Sequence, residues 1–327
     1  MWKYFLFSFL IILSINYSGA SIGDRSPYYQ RCLEKCEILN CTKDGIHFIK
    51  EYHQPLHLKW TFWFCSDECK YNCMWKTVQS FHEYDLKTPQ FHGKWPFIRI
   101  LGIQEPASMI FSLLNLYAHL KMLKIFVKRV RPDSPLYFMW IGYCLVCCHA
   151  WFWSTIFHAR DFLLTEILDY ICAFSIVLVN CYIVLVRMLK YILPRFLLII
   201  LTVFFIAFFI NHSIYLYMGR FDYSYNMKVN IVIGTITALC WFIWCLVHQK
   251  KQPYVWKCGM YVALTGLVLP LEVIDLPPIF YIFDSHSIWH LATAPLVSLI
   301  YSFAIDDCRY LRKIHFEDVE NQKSKEL

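Results

Sequence analysis

His286 and His290 stand four residues apart in the stretch Asp284-Ser-His-Ser-Ile-Trp-His290. On a helix that spacing stacks both imidazoles on one face, where they can share a metal ion. Ser154 and His158 repeat the spacing in Trp151-Phe-Trp-Ser-Thr-Ile-Phe-His158, and Asp169 follows eleven residues after His158. Three histidines with an open fourth position form the ligand set of catalytic zinc, so Zn2+ is the cofactor expected on His158, His286 and His290. Zinc polarises a carbonyl and lowers the pKa of bound water towards about 7. Asp169 would orient or deprotonate that water, and Ser154, one turn from His158, would donate a hydrogen bond to it or to a developing oxyanion. No Gly-x-Ser-x-Gly elbow surrounds Ser154, which argues against a covalent serine nucleophile. His119, His149 and His212 are isolated, and an isolated intramembrane histidine more often hydrogen-bonds a neighbour than binds metal.

The elements that must position these residues follow from composition. The 327 residues are 58% hydrophobic and only 17% charged, against roughly a quarter charged in soluble domains. The apolar residues fall in blocks of about 20, the length that crosses a hydrocarbon core of about 30 Å. Seven spans are expected, near 104–127, 136–157, 163–186, 193–217, 229–248, 256–274 and 288–305, giving an all-α polytopic membrane protein with a membrane domain over 98–308. The first span carries Glu105, Asn115 and His119 and so should pack inside the bundle. Residues 1–20 read as a secretory signal, with Lys3 ahead of a short apolar run and Ser18-Gly-Ala20 for cleavage; a retained anchor helix is the rival. Either delivers residues 21–97 to the lumen as a small domain. Its Cys32, Cys36, Cys41, Cys65, Cys69 and Cys73 favour disulfides over metal in an oxidising compartment, with the connectivity left open. The Cys-x-x-x-Cys spacings allow two helices to face each other and be stapled. Asn40-Cys-Thr42 is a glycosylation sequon if luminal, and the other nine cysteines read as small hydrophobes.

Orientation follows from charge. With the N-terminal domain luminal, the cytoplasmic connections and the tail 309–327 hold sixteen basic residues, and the luminal connections between spans hold three, Arg160, Arg220 and Lys228. The net charge of +7 is thus a topology signal and implies no nucleic-acid partner. The ending Lys323-Ser-Lys325-Glu-Leu looks like a dilysine retrieval signal read by coat machinery, against the alternative of a solvated tail. Ser154, His158, Asp169, His286 and His290 then share one depth at the luminal side, although the topology argument used none of them. Polar groups facing lipid would cost kcal/mol each, so they should line a common polar space. Arg160 and Asp161 beside them read as a salt-bridged rim or as a contact to a charged lipid headgroup. Glu272 and Asp275 read as either supporting groups of the site or plain interfacial residues.

This pattern, Ser-x-x-x-His, Asp and a terminal His-x-x-x-His, resembles the CREST superfamily of seven-span metal hydrolases. The blocks His92-Gly-Lys-Trp-Pro-Phe97, Gln104-Glu-Pro-Ala-Ser108, Trp151-Phe-Trp-Ser-Thr155, Phe157-His-Ala-Arg-Asp161, Phe221-Asp-Tyr-Ser-Tyr-Asn226 and His286-Ser-Ile-Trp-His290 resemble the post-GPI attachment to proteins factor 3 family. The resemblance implies removal of the sn-2 fatty acid from the inositol phospholipid of GPI-anchored proteins, a phospholipase A2-like step, in endoplasmic reticulum and Golgi membranes. It also implies zinc on His158, His286 and His290, with Ser154 and Asp169 as catalytic helpers. Two other readings compete: a seven-span receptor, and a non-enzymatic cargo factor with a structural metal. The cysteine-rich domain and the tail argue against a surface receptor. A structural metal would be fully coordinated, whereas a catalytic one needs an open position.

Overall fold

A computed structural model describes residues 21–49, 54–218 and 222–326, with side chains to residue 317. The expected signal segment 1–20 and the side chains of Lys323 and Lys325 lie outside the described residues. Helices dominate, and pairing outside them is limited to isolated bridges among the described residues. Among the described residues, seven helical runs are long and apolar enough to cross a membrane. The chain is an all-α, multi-pass membrane protein with a disulfide-bonded N-terminal segment.

That segment is built on two antiparallel helices, α1 (Pro27–Asn40) and α2 (Cys65–Glu83). Cysteines four apart on each helix face each other, and the bonds Cys32–Cys73, Cys36–Cys69 and Cys41–Cys65 form successive rungs. The enclosed loops span 41, 33 and 24 residues. A single loop of that size is worth about 3–4 kcal/mol in the chain-entropy account, and nested loops add less than the sum. The apolar cluster beneath is small, with Tyr29, Val78 and Phe91 around Cys73, so the crosslinks compensate for a thin core.

The membrane bundle comprises α3 (Pro106–Arg129), α4 (Tyr137–Ala159), α5 (Leu163–Leu189), α6 (Arg195–Met218), α7 (Tyr223–His248), α8 (Trp256–Val273), α9 (Ser285–Thr293) and α10 (Val297–Glu326). A 3₁₀ turn at Ala294–Leu296, containing Pro295, joins α9 to α10, and the two form one span. The core lies among α3, α4, α7 and α10, where Trp140, Tyr143, Trp241, Tyr301 and Phe303 pack together. By contrast α6 buries little and turns Ile199, Val203 and Ile206 outward, as a lipid-facing helix does.

Two helices begin earlier than hydropathy predicts, for one reason. Asp284 accepts a hydrogen bond from the Ser287 amide at 2.8 Å, so α9 starts at Ser285 rather than near 288. Asp222 likewise accepts from the Tyr225 amide at 2.9 Å and starts α7 at Tyr223 rather than near 229. A capping carboxylate supplies an acceptor for orphan helix amides, a contribution that an apolarity profile does not contain. The cap at Asp284 puts both His286 and His290 inside a helix.

Candidate metal and catalytic site

Three helices deliver the site. His158 is the penultimate residue of α4, His286 and His290 lie on α9, and Asp169 lies in the second turn of α5. One nitrogen from each histidine falls within 4.8 Å of the others, which makes them a candidate metal-binding group. His286 Nε2 and His290 Nε2 are 2.7 Å apart. His158 and His290 are each only 2% exposed. The Trp151 ring meets His290 edge-on, and the Trp289 ring stacks on His286.

The outer nitrogen of each ring is already engaged. His158 Nδ1 is 2.6 Å from Glu105 Oε2, and His286 Nδ1 is 2.6 Å from Glu272 Oε2. His290 Nδ1 is 3.0 Å from Ser112 Oγ, whose own hydroxyl donates to the Ser108 carbonyl at 2.8 Å. Ser112 therefore accepts from His290, and all three imidazoles carry their proton on Nδ1. The three Nε2 atoms point inward: those of His286 and His290 meet at 2.7 Å, a contact that needs a proton or an ion between them, and His158 Nε2 is buried without a hydrogen-bond partner. An outer acceptor that fixes the tautomer and turns the other nitrogen inward is the arrangement metal-binding histidines use. Imidazoles held on their outer nitrogens by two carboxylates and a hydroxyl, with one buried inner nitrogen unsatisfied, suit a borderline-soft divalent ion such as zinc.

Glu105 grips His158 twice, since its amide also donates to the His158 carbonyl at 3.0 Å. The neighbouring Gln104 amide bonds the Ala159 carbonyl at 3.0 Å. These bonds satisfy terminal carbonyls of α4 and fix where its last turn points. Burial alone would raise the Glu105 carboxyl, but the charge of the Lys94 ammonium beside it holds it low. Asn115 Nδ2 donates to the His290 carbonyl at 2.7 Å, fixing α9 against α3.

Ser154 Oγ is 3.1 Å from Ser112 Oγ and 6% exposed. Asp169 faces Ser154, His158 and His286 across the same space. All five residues singled out for chemistry are thus neighbours. Glu272 supports His286, whereas Asp275 accepts from Gln90 Nε2 at 2.5 Å and from Trp95 Nε1. The Arg160 guanidinium reaches the Asp161 backbone carbonyl at 3.3 Å, but its ion pair is not with the Asp161 carboxylate. Arg160 binds Asp67 at 2.5 Å, and Asp161 binds Lys94 at 2.5 Å, so both are engaged with the cysteine-bearing segment. The isolated histidines have ordinary partners: Tyr301 for His119, Trp153 and Cys172 for His149, Asn226 and Tyr225 for His212. Cys41, Cys65 and Cys69 also crowd together, but as adjacent rungs of the disulfide ladder, with their sulfurs already bonded. Asn40 is exposed at the end of α1.

Sequence reading missed Ser112 and Lys94 as parts of the site and assigned Glu105 no role in it. A signal for two of them was present. Glu105, Ser108, Ser112, Asn115 and His119 recur at alternating intervals of three and four in an apolar span, which is one face of a helix. All five are buried.

Residues 55–308 match the model of the Per1-like family. Post-GPI attachment to proteins factor 3 of Drosophila melanogaster is 46% identical over 86% of this chain and 87% of its own length. The GPI-specific phospholipase A2-like PGAP3 of Xenopus tropicalis is 42% identical over 95% of this chain and 98% of its own. Its Homo sapiens namesake is 41% identical, covering 90% and 92%. No solved structure matches the chain significantly. With nearly its whole membrane domain covered and its relatives aligned almost end to end, the chain belongs to the Per1-like family.

Proposed function

We propose that the chain is a zinc-dependent, phospholipase A2-like hydrolase that removes the sn-2 fatty acid from the lipid of GPI-anchored proteins. The names of its relatives support the substrate class. The observation that carries the reading is the inward convergence of three imidazoles beside Ser154 and Asp169. His158, His286 and His290 would hold the ion. Bound there, zinc supplies Lewis acidity to an ester carbonyl and lowers the pKa of water towards about 7.

The chain's own residues supply the rest. Asp169 takes the proton of the attacking water. Ser154 donates from Oγ to the carbonyl oxygen as charge develops on it, a contact stronger in the transition state than in the ground state. Glu105, Glu272 and Ser112 keep the imidazoles in the required tautomer. The walls of Trp151 and Trp289 limit bulk water, which strengthens each electrostatic contact.

The site faces the lumen of endoplasmic reticulum and Golgi membranes in this reading, with residues 1–20 directing insertion. Lys323 and Lys325 would engage coat machinery from the cytoplasmic side. The test is fatty-acid release from a diacyl GPI substrate by the purified protein in detergent, read by mass spectrometry beside His290→Ala. Release of the sn-2 chain by the wild type alone is expected. A zinc-loaded, folded wild type that releases nothing would overturn the hydrolase and leave a cargo factor with a structural metal.

A further inference from the structure

Glu105 divides its carboxylate between two partners. Oε2 faces His158 Nδ1 at 2.6 Å, while Oε1 lies 3.6 Å from Lys94 Nζ. Lys94 does not come from the membrane bundle. It follows the disulfide-bonded helices and reaches the bundle by a tight turn. Phe91 and Lys94 exchange both backbone hydrogen bonds, at 2.7 and 2.9 Å, with His92 at φ 51° and Gly93 at φ 82°. Two successive positive φ values make a two-residue turn of type I′, where glycine is favoured at the second position. The turn is tied down on several sides: Asp24 accepts from the His92 amide, Ser21 Oγ from the Gly93 amide, and Asp275 from Trp95 Nε1. The ammonium lies 4.4 Å from the centre of the Phe157 ring, beside His158, and Asp161 holds its other side at 2.5 Å.

Resting on the zinc reading above, we infer that Lys94 is a positioning residue of the metal centre, through which the disulfide-bonded segment completes a site otherwise built by the bundle. A carboxylate backing a metal-bound imidazole must itself be held, and outer partners of this kind are worth about 10–100-fold in metal affinity. Lys94 anchors the Glu105 oxygen that His158 does not use. Without it, Glu105 is an anion beside a buried imidazole with one oxygen unpaired, free to rotate and to release His158 from its tautomer.

The test is zinc affinity, measured by chelator competition on the purified full-length chain, for the wild type and five variants. Lys94→Met is expected to weaken zinc binding about 10- to 100-fold, and Lys94→Arg, which keeps the cation, to restore most of it. Glu105→Gln should weaken binding too, and adding Lys94→Met to it should cost nothing further, because the two act through one contact. Arg99→Gln controls for simple loosening of the segment. It breaks the two-point Arg99–Glu68 pair, at 2.5 and 2.7 Å, away from the histidines, and should lower the Tm while leaving zinc affinity unchanged. Wild-type affinity in Lys94→Met, additive losses in the double variant, or an equal loss in Arg99→Gln would each overturn the inference while leaving the zinc reading intact. A wild type that takes up no zinc would overturn both.

Discussion

Each histidine of the site is defined by what its outer nitrogen touches, and the three supports differ in kind. Glu105 and Glu272 are carboxylates, and Ser112 is a hydroxyl whose proton is already donated elsewhere. Glu272→Gln is expected to lower zinc affinity about 10- to 100-fold, seen as a lower metal content after dialysis against a weak chelator. Ser154→Ala should keep its zinc yet lose about 10²- to 10³-fold in kcat, as an oxyanion donor does; a rise in KM with kcat unchanged would argue against that role. The five positions that the fold brings together were legible because His and Asp are rare in apolar spans, and spacing places them, and Ser154 beside His158, on faces. Their supports were less so. Ser112 is an unremarkable residue in a membrane helix, and only its place in the stripe from Glu105 to His119 marks it. Lys94 lies 64 residues before His158 in sequence, and no local pattern connects them.

At the scale of elements, short signals decide where the chemistry sits. The cap at Asp284 winds the chain into helix before the apolar residues begin, so Asp284→Ala should cost about 1 kcal/mol and loosen the turn bearing His286. Hydrogen exchange at the amides of α9 would report that fraying, and unchanged protection would show that packing against α3 holds the turn by itself. Gly93→Ala is a second test. A methyl group there meets no atom within 4 Å, so any loss comes from the positive φ and its effect on the Lys94 turn. Gly102 differs, because a methyl group there would collide with Thr61 Oγ1. Hydropathy revealed seven spans and their order, since it measures what they bury or expose to lipid. It missed the starts of α7 and α9 because caps are polar and local. It also left the disulfide pairing open, since the i, i+4 cysteines fix which faces meet but not their register.

The whole molecule has a lock at each end of the bundle. Near the site, ion pairs from Lys94 and Arg160 dock the disulfide-bonded segment onto the helix ends. At the far end of α5, about 27 Å from Asp169 at 1.5 Å per residue, Arg187 binds Asp307 of α10 through two contacts of 2.8 Å, both groups buried. Arg187→Ala leaves the buried Asp307 carboxylate without a counter-charge, with the Tyr254 hydroxyl still donating to it at 2.8 Å, and should cost about 3–5 kcal/mol, lowering the Tm in detergent. Replacing both partners with apolar residues should recover much of that loss. Neither change is expected to alter zinc affinity. The depth of the histidines also shapes how the protein meets its substrate. His290 is five residues into its span, about 8 Å along the axis, and Glu105 caps the first span at the same end. That is near the level of acyl ester carbonyls in a leaflet about 15 Å deep. On the hydrolase reading proposed above, a lipid in that leaflet would reach the centre by lateral diffusion, and the concentration governing turnover would be a mole fraction in the plane. Adding inert detergent or phospholipid at constant total substrate should therefore slow the enzyme by surface dilution, whereas doubling the volume of the same vesicle suspension should leave its turnover per molecule unchanged.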